Sequence, residues 1–308
     1  MPGFVTHYLF GVSAVRHADN HDFHTLIKKH HTAYGFGLQG PDLFFYYLPG
    51  FRFSPNPGSH KRHSNAFFSA MLNSLALCAD KDDYETTLCY ILGFLGHYTL
   101  DTTCHPYIYD KTNYKEDSAA YFGKHVYLET DIDAQMLWRL RRMLPSDFHP
   151  QRTLRLSHKE RRAIARCLHF TYKNTFPDLR LGYADMYAAV LFMPFALLIL
   201  HDPHGKKKAF ARRLEKHILG YAYVSPLISS DRIRFTKDPL NLRHKKWKNP
   251  WDASRASTDS FPDLYSKARE QYLHRIDLLK NIIDPTKFHR ENLNQYLRPL
   301  MQSLANCS

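Results

Sequence analysis

The segment His97-Tyr-Thr-Leu-Asp101-Thr-Thr-Cys-His105 decides the fold, together with the shorter segment His125-Val-Tyr-Leu-Glu129. The spacing of i, i+4 and i+8 in the first segment, and of i and i+4 in the second, places each set of side chains on one face of an α-helix. Imidazole and carboxylate groups are common zinc ligands. Five candidate ligands within 33 residues, all at helical spacing, predict a helical metalloenzyme that binds more than one metal ion.

The charge of the chain is distributed unevenly. Its 308 residues are 44% hydrophobic, which is enough to bury a substantial core, and the interspersed charges argue against disorder. Residues 1–150 carry 13 Lys and Arg against 15 Asp and Glu, a net charge of −2, whereas residues 151–308 carry 29 against 14, a net charge of +15. The basic half suits an anionic partner, such as a phosphate, a lipid headgroup surface or a nucleic acid, although solvated helix faces explain the same charge.

Cysteine usage and the N-terminal sequence indicate the compartment. The five cysteines form no CxxC pair and four of them lie in apolar helical patterns, which indicates reduced, buried thiols. The first residues lack a basic region, a long apolar region and a cleavage site. The longest apolar run, 188–200, has 13 residues and includes Pro194, so it is too short to span a bilayer. We expect a soluble, cytoplasmic protein without a transmembrane segment.

Helical periodicity dominates the chain and predicts a single all-α domain over residues 1–308, with a metal core in 1–140 and a basic helical half in 150–308. The predicted helices are 4–18, 20–34, one that begins at His60, 83–105, 119–143, 157–174, 183–200, 206–222, 262–282 and 289–304. The expected irregular segments are 35–42, 50–58, 107–117 and 224–261, and the aromatic run 43–48 is open to interpretation as a strand. Pro106 is expected to end the helix that begins at 83, which would place His105 in its last turn.

The chain supplies the ligand set that a multinuclear site for phosphoester hydrolysis needs, since divalent ions lower the pKa of bound water and neutralise phosphate oxygens. The candidates are His7, Asp42, His60, His97, Asp101, His105, His125 and Glu129. They lie in the segments Thr6-His7, Gly40-Pro-Asp42-Leu-Phe-Phe, Gly58-Ser-His60 with Phe67-Phe68, Gly96-His97 to His105-Pro106, and His125-x-x-x-Glu129. Over residues 1–140 these segments and their order resemble the zinc-dependent phospholipase C family, an all-α trinuclear zinc fold shared with single-strand-specific nucleases.

The resemblance implies a role for each candidate. The implied zinc ligands fall into three sets, which are His60, His97 and Asp101; His105, His125 and Glu129; and His7 with the shared carboxylate of Asp101 and the N-terminal amine of Pro2. Asp42 would act as a general base or orient the attacking water. The implied function is a zinc-dependent phosphoester hydrolase with two or three zinc ions, which cleaves a phospholipid headgroup by attack of water on phosphorus.

Several alternatives stay open. A nuclease or nucleotidase could use the same metal core. A non-catalytic relative could bind the metal ions without hydrolysing a substrate. The dipeptides His21-Asp22 and His201-Asp202 are also typical of HD-type phosphohydrolases, and His63 competes with His60 for its role. Asp133, one turn after Glu129, is expected to support the ligands or to face solvent.

Two basic clusters are candidate contacts with an anionic partner. They are 206–208 and 243–248, and the second lies close to Trp251 in the sequence. Basic and aromatic side chains together could lie at a membrane surface, which would give peripheral membrane contact, or could stack on nucleic acid bases.

Overall fold

The computed structural model of the chain describes residues 3–47, 59–113, 119–231, 236–283 and 294–305. The predicted all-α class is confirmed, because helices form nearly all regular structure in these ranges. The α-helices are α1 (Phe4–His17), α2 (His21–Lys29), α3 (His31–Gly37), α4 (Ser59–Asn73), α5 (Lys81–Thr112), α6 (Ala119–Arg141), α7 (His158–Thr175), α8 (Tyr183–Leu200), α9 (Lys206–Ile218), α10 (Phe261–Leu278), α11 (Lys280–Ile283) and α12 (Asn294–Ala305).

The chain divides into two compact units, each made of three segments. The first unit comprises Met1–Phe10, Thr99–Pro150 and Leu197–Glu270. The second comprises Gly11–Tyr98, Gln151–Ala196 and Gln271–Ser308. The single domain over 1–308 stays a prediction.

In the first unit, α1 packs against α6. Val5 and Leu9 of α1 bury their side chains against Leu137 of α6, and Met143 and Phe148 cover this cluster. The apolar positions of α1 recur at helical spacing, which explains why this short segment is helical and why one face of it is buried.

In the second unit, α3 crosses α5 at very close range. A Cβ atom added to Gly93 of α5 would overlap the backbone oxygen of Tyr34, and one added to Gly37 of α3 would overlap the backbone oxygen of Tyr90. Two glycines therefore allow the helix backbones to approach where no larger residue fits. Aromatic rings fill the adjacent core, with Phe67 of α4 in edge contact with Tyr172 of α7 at a centroid distance of 5.5 Å.

The prediction that Pro106 ends its helix is wrong. Helix α5 runs over Lys81–Thr112 with Pro106 inside it, so His105 lies well within the helix and residues 107–112 are not a loop. A proline in a helix interior costs about 3 kcal/mol, because it removes a hydrogen bond and crowds the preceding turn. Tyr107 and Ile108 are fully buried and Tyr109 is 6% exposed, and this burial of apolar surface offsets the cost.

Two other predictions about local structure are corrected. The expected loop 35–42 is partly helical, since α3 extends to Gly37 and a 3-10 helix covers Gly40–Phe45, which also excludes a strand over its aromatic residues. The expected irregular stretch 224–261 contains an antiparallel hairpin of β1 (Trp247–Asn249) and β2 (Asp252–Ser257). The expected loop 50–58 lies outside the described residues.

Helix α8 has 18 residues, so it is longer than the apolar run 188–200, which by itself is too short to span a bilayer. Among the described residues it is the helix that is long and apolar enough to cross a membrane by length and composition, with a mean hydropathy of 1.8 and 33% of its residues buried. Core helices of soluble proteins have the same length and apolar composition, so these two properties do not distinguish a membrane span from a core helix.

The four described cysteines are buried thiols. They are Cys78, Cys89, Cys104 and Cys167. Burial raises the pKa of each thiol, and the pKa of Cys167 rises to about 12. These side chains therefore pack as small apolar groups.

We expect Gly93→Ala to lower the free energy of unfolding by about 1–3 kcal/mol, since the added methyl group meets a backbone atom that cannot move without shifting α3. This loss outweighs the higher helix propensity of alanine. Chemical denaturation measures the effect. Gly182→Ala is the matched control, because its Cβ would find Asp185 at an ordinary distance of 3.4 Å. Equal stability of Gly93→Ala and wild type would show that the close crossing is wrong.

Candidate metal centre

Three potential ligands converge in the first unit. His105 comes from α5, and His125 and Glu129 come from α6, where their spacing of four residues places them on one face. One ligand atom from each side chain lies within 4.8 Å of the other two. His125 Nε2 lies 2.5 Å from Glu129 Oε1. Two imidazoles and a carboxylate in this arrangement fit a zinc site with three protein ligands and one position left for water.

Neighbouring groups orient the His125 ring. Its Nδ1 atom lies 2.8 Å from the hydroxyl oxygen of Tyr121, which also accepts a hydrogen bond from Thr112 Oγ1 at 3.3 Å. Because Tyr121 occupies Nδ1, Nε2 faces Glu129 and is the atom that could bind a metal ion. Burial, with a smaller contribution from His105, holds the pKa of His125 well below its usual value. A neutral imidazole is the form that coordinates metal ions.

His7 and Asp101 form a second group in the same unit. His7 Nε2 lies 3.2 Å from Asp101 Oδ1, and the His7 side chain is fully buried. Asp101 follows His97 by one turn of α5, and His105 follows Asp101 by one more, so this continuous helix presents three of the predicted ligands in sequence.

Asp133 fixes the beginning of α1 and thereby places His7. Its carboxylate accepts hydrogen bonds from Val5 N and Thr6 N, both at 2.9 Å, and from Thr6 Oγ1 at 2.6 Å. These donors belong to the first turn of the helix, which otherwise lacks partners for its N–H groups. Asp133 is 5% exposed, so of its two expected roles the structure favours support of a ligand over contact with solvent.

In the second unit, Asp42 lies near His97. Asp42 Oδ1 is 4.0 Å from His97 Nε2, and both residues are buried. His97 Nδ1 lies 3.1 Å from the carbonyl oxygen of Leu38, an acceptor that directs Nε2 towards Asp42. Gly40 makes the approach possible, because its φ of +52° is left-handed and a Cβ atom there would overlap the His97 ring.

The structure does not describe two of the predicted zinc ligands. His60 belongs to α4, as the sequence predicts, but its side chain and that of His63 are not described, and neither is Pro2. The assignments of His60 to one zinc ion and of the Pro2 amine to another therefore stay predictions.

A third group of potential ligands was not anticipated from the sequence. His30, Asp82 and Glu85 of the second unit offer ligand atoms within 4.8 Å of one another. Lys29 Nζ lies 2.5 Å from Glu85 Oε2 and 3.4 Å from Asp82 Oδ1, so a cation of the chain itself already neutralises these carboxylates. The local signal is weak, because His30 precedes the two acids by about fifty residues.

The two HD dipeptides have other places in the structure. His21 and Asp22 are exposed at the beginning of α2. Asp202 Oδ2 accepts a hydrogen bond from Lys208 N at 2.9 Å, which stabilises the first turn of α9. Asp202 thus has a structural partner that accounts for its burial.

Aromatic side chains border the group formed by His105, His125 and Glu129. The Tyr109 ring lies 5.0 Å from the ring of His105 and 5.3 Å from that of His125, between centroids. Trp251, which is 49% exposed, meets Tyr109 edge-on at 4.8 Å. The sequence interpretation missed this border, although Tyr109 follows His105 by four residues along α5.

The hairpin holds Trp251 in this position. Trp251 occupies the turn between β1 and β2, and Lys248 N of β1 donates a hydrogen bond to Asp110 Oδ1 of α5 at 3.1 Å. Trp247 packs against Tyr107 at a centroid distance of 5.8 Å, and its Nε1 donates to the backbone oxygen of Asp259. The hairpin is therefore anchored to the same part of α5 that carries His105.

An all-α protein that gathers histidines and carboxylates in this way belongs to the class of helical metalloproteins. The family model described as zinc dependent phospholipase C matches residues 6–192, more than half of the chain. The chain belongs to the zinc-dependent phospholipase C family. Comparison with curated proteins and with solved structures gave no match. The family and the ligand groups together support a zinc-dependent hydrolase.

We expect His125→Ala to lower the zinc content by about one ion per chain, because the group with His105 and Glu129 loses one of three ligands. Mass spectrometry of the dialysed protein measures bound metal. His217→Ala is the control, since His217 is exposed on α9, and it should keep the zinc content of wild type. Unchanged zinc content in His125→Ala would contradict a metal site at this group.

Proposed function

We propose that this protein is a zinc-dependent phosphoester hydrolase that releases the headgroup of a phospholipid through attack of water on phosphorus. The convergence of His105, His125 and Glu129, in a chain of the zinc-dependent phospholipase C family, is the observation that carries the proposal. Two imidazoles and a carboxylate suit a catalytic divalent ion, and such ions are widely used on phosphate esters.

The ligands divide between two groups. His105, His125 and Glu129 would hold one zinc ion, and His7 and Asp101 would hold a second. When bound, zinc supplies Lewis acidity, which lowers the pKa of water and offsets the negative charge of the phosphate. Because Tyr121 contacts the Nδ1 atom of His125, the Nε2 atom would be the one that holds a zinc ion.

Asp42 is the residue that we assign as general base. Its buried carboxylate lies beside His97, whose ring is fixed by the Leu38 carbonyl group. A carboxylate in this position can accept a proton from the attacking water and later return it to the leaving oxygen.

Tyr109 and Trp251 are suited to bind the part of the substrate next to the phosphate. Both rings border the metal group, and Trp251 leaves about half of its surface exposed. Aromatic faces attract apolar groups and cations, including the quaternary ammonium group of some lipid headgroups.

A nuclease or nucleotidase is the second candidate, and the same aromatic border favours it. Bases stack on exposed aromatic rings, and such contacts tolerate different sequences. A panel that contains phospholipids, single-stranded nucleic acid and nucleotides separates these substrates. A protein that binds zinc but turns over none of them would be a non-catalytic relative, contrary to the proposal.

We expect Asp42→Asn to lower kcat for the best substrate of the panel by about a hundredfold or more, because the amide cannot accept the proton. Steady-state kinetics measure the rate, and metal analysis should show the zinc content of wild type. Removal of zinc with a chelator should abolish hydrolysis, and added zinc should restore it. Full activity of Asp42→Asn with zinc bound would exclude Asp42 as the base.

We expect Trp251→Ala to raise KM about tenfold while kcat changes less, since the indole ring contacts the substrate beside the reacting phosphate but takes no part in proton transfer. The matched control is Trp138→Ala, because Trp138 is an equally exposed tryptophan of α6. An equal change of KM in both variants would refute a specific role for Trp251.

A further inference from the structure

Helices α8 and α9 expose an unusual amount of apolar surface. Over residues 191–200 of α8, the large apolar side chains that are at least 38% exposed are Leu191, Phe192, Phe195, Leu198 and Ile199. The opposite side of α8 is buried, with Met186, Val190 and Met193 at 1% exposure or less. Contiguous apolar surface of this kind on a folded protein marks an interaction site.

Helix α9 combines a second apolar stripe with a strong positive charge. Phe210, Leu214 and Ile218 are 70%, 47% and 69% exposed, and their spacing of four residues aligns them along one side of the helix. We call this stripe the α9 face. The exposed cations of the helix are Lys206, Lys207, Arg212, Arg213 and Lys216.

The single acidic residue of α9 does not reduce this charge at the surface. Glu215 is buried, and its carboxylate accepts hydrogen bonds from the backbone N–H groups of Tyr223, Val224 and Ser225. On the same buried side, Lys208 Nζ lies 5.3 Å from the ring centroid of Tyr127 in α6. The helix is therefore fixed to the unit by its polar inner side, with apolar and basic side chains outward.

Within the first unit, hydrogen bonds hold the last turn of α8 next to the first turn of α9. Lys207 Nζ donates hydrogen bonds to the carbonyl oxygens of Ile199 and His201, at 2.7 and 3.0 Å. This cation stabilises the C-terminal end of α8, where carbonyl groups lack helical partners. The first turn of α9 is thus held at the last turn of α8, beside the exposed Leu198 and Ile199.

We propose that the α9 face, with the exposed end of α8, docks on the surface of a bilayer that contains anionic phospholipids. The positive charge of α9 favours an anionic bilayer as the partner, because exposed cations next to an apolar stripe complement a negatively charged lipid surface. Phe210 and Ile218 enter the boundary between headgroups and acyl chains, while the lysines and arginines contact phosphates. Binding to the bilayer through α9 does not depend on which bond the protein cleaves.

Co-sedimentation of the full chain with lipid vesicles tests the proposal without any measurement of turnover. Vesicles of phosphatidylcholine mixed with phosphatidylserine should bind the protein, and vesicles of phosphatidylcholine alone should bind it more weakly. Added salt should reduce the binding, because it screens the cations.

Substitutions at exposed positions locate the surface without disturbing the core. The double variant Phe210→Ser, Ile218→Ser should bind anionic vesicles about tenfold more weakly, since it removes the apolar contact. Leu77→Ser is its control, because Leu77 is also an exposed apolar residue, at 46%. Arg213→Glu should weaken binding more than Lys245→Glu, which alters an exposed lysine of the other basic cluster.

A spectroscopic variant reports insertion directly. Phe210→Trp should shift its fluorescence emission to shorter wavelength when anionic vesicles are added, beyond any shift of wild type. Absence of vesicle binding by wild type, or equal binding by the α9 variants and their controls, would overturn the proposal. So would a dimer of wild type that becomes monomeric in Phe210→Ser, Ile218→Ser, because a second copy of the chain would then cover the α9 face.

Discussion

The uninterrupted helical path of α5 through Pro106 is the constraint on which the candidate metal centre depends. His97, Asp101 and His105 share one side of this helix only while its backbone keeps regular turns. The proline lies directly after His105, where a break would free the last ligand to rotate. Burial of Tyr107 and Ile108 holds the backbone helical beyond the proline, so apolar packing in the first unit maintains the geometry of a polar site.

The same continuation brings Tyr109 to the metal centre. A chain that left the helix at Pro106 would separate Tyr109 from His105, whereas one further helical turn brings the centroids of the two rings to 5.0 Å. Asp110, in the next position, accepts the backbone hydrogen bond that anchors the hairpin. One helix therefore provides candidate ligands, an aromatic neighbour and the residue that anchors the hairpin of Trp251.

Local patterns in the sequence were sufficient for most helices and for the ligand types. The spacing of His125 and Glu129 predicts that they share one face of a helix. The apolar pattern of 183–200 predicts the bounds of α8. Both succeed because helical periodicity is a local property. The end of α5 could not be predicted in this way, since it depends on the competition between a local penalty at Pro106 and tertiary burial. The hairpin was missed for a related reason: its short strands are held by Asp110 and Tyr107, which lie more than a hundred residues earlier in the chain.

Helix α6 links the two surfaces that matter for function. One side of α6 carries His125 and Glu129, and Tyr127 projects from the opposite side, two positions away from each ligand. Tyr127 contacts Lys208 of α9, and its hydroxyl oxygen lies 2.7 Å from Ser225 Oγ, in the segment that Glu215 also binds. A membrane held at the α9 face would thus be close to the helix that carries two of the candidate metal ligands. These contacts and the hydrogen bonds that Glu215 accepts fix α9 to α6 and to the segment that follows α9. Docking through α9 would therefore place the metal centre at a defined orientation to the lipid surface.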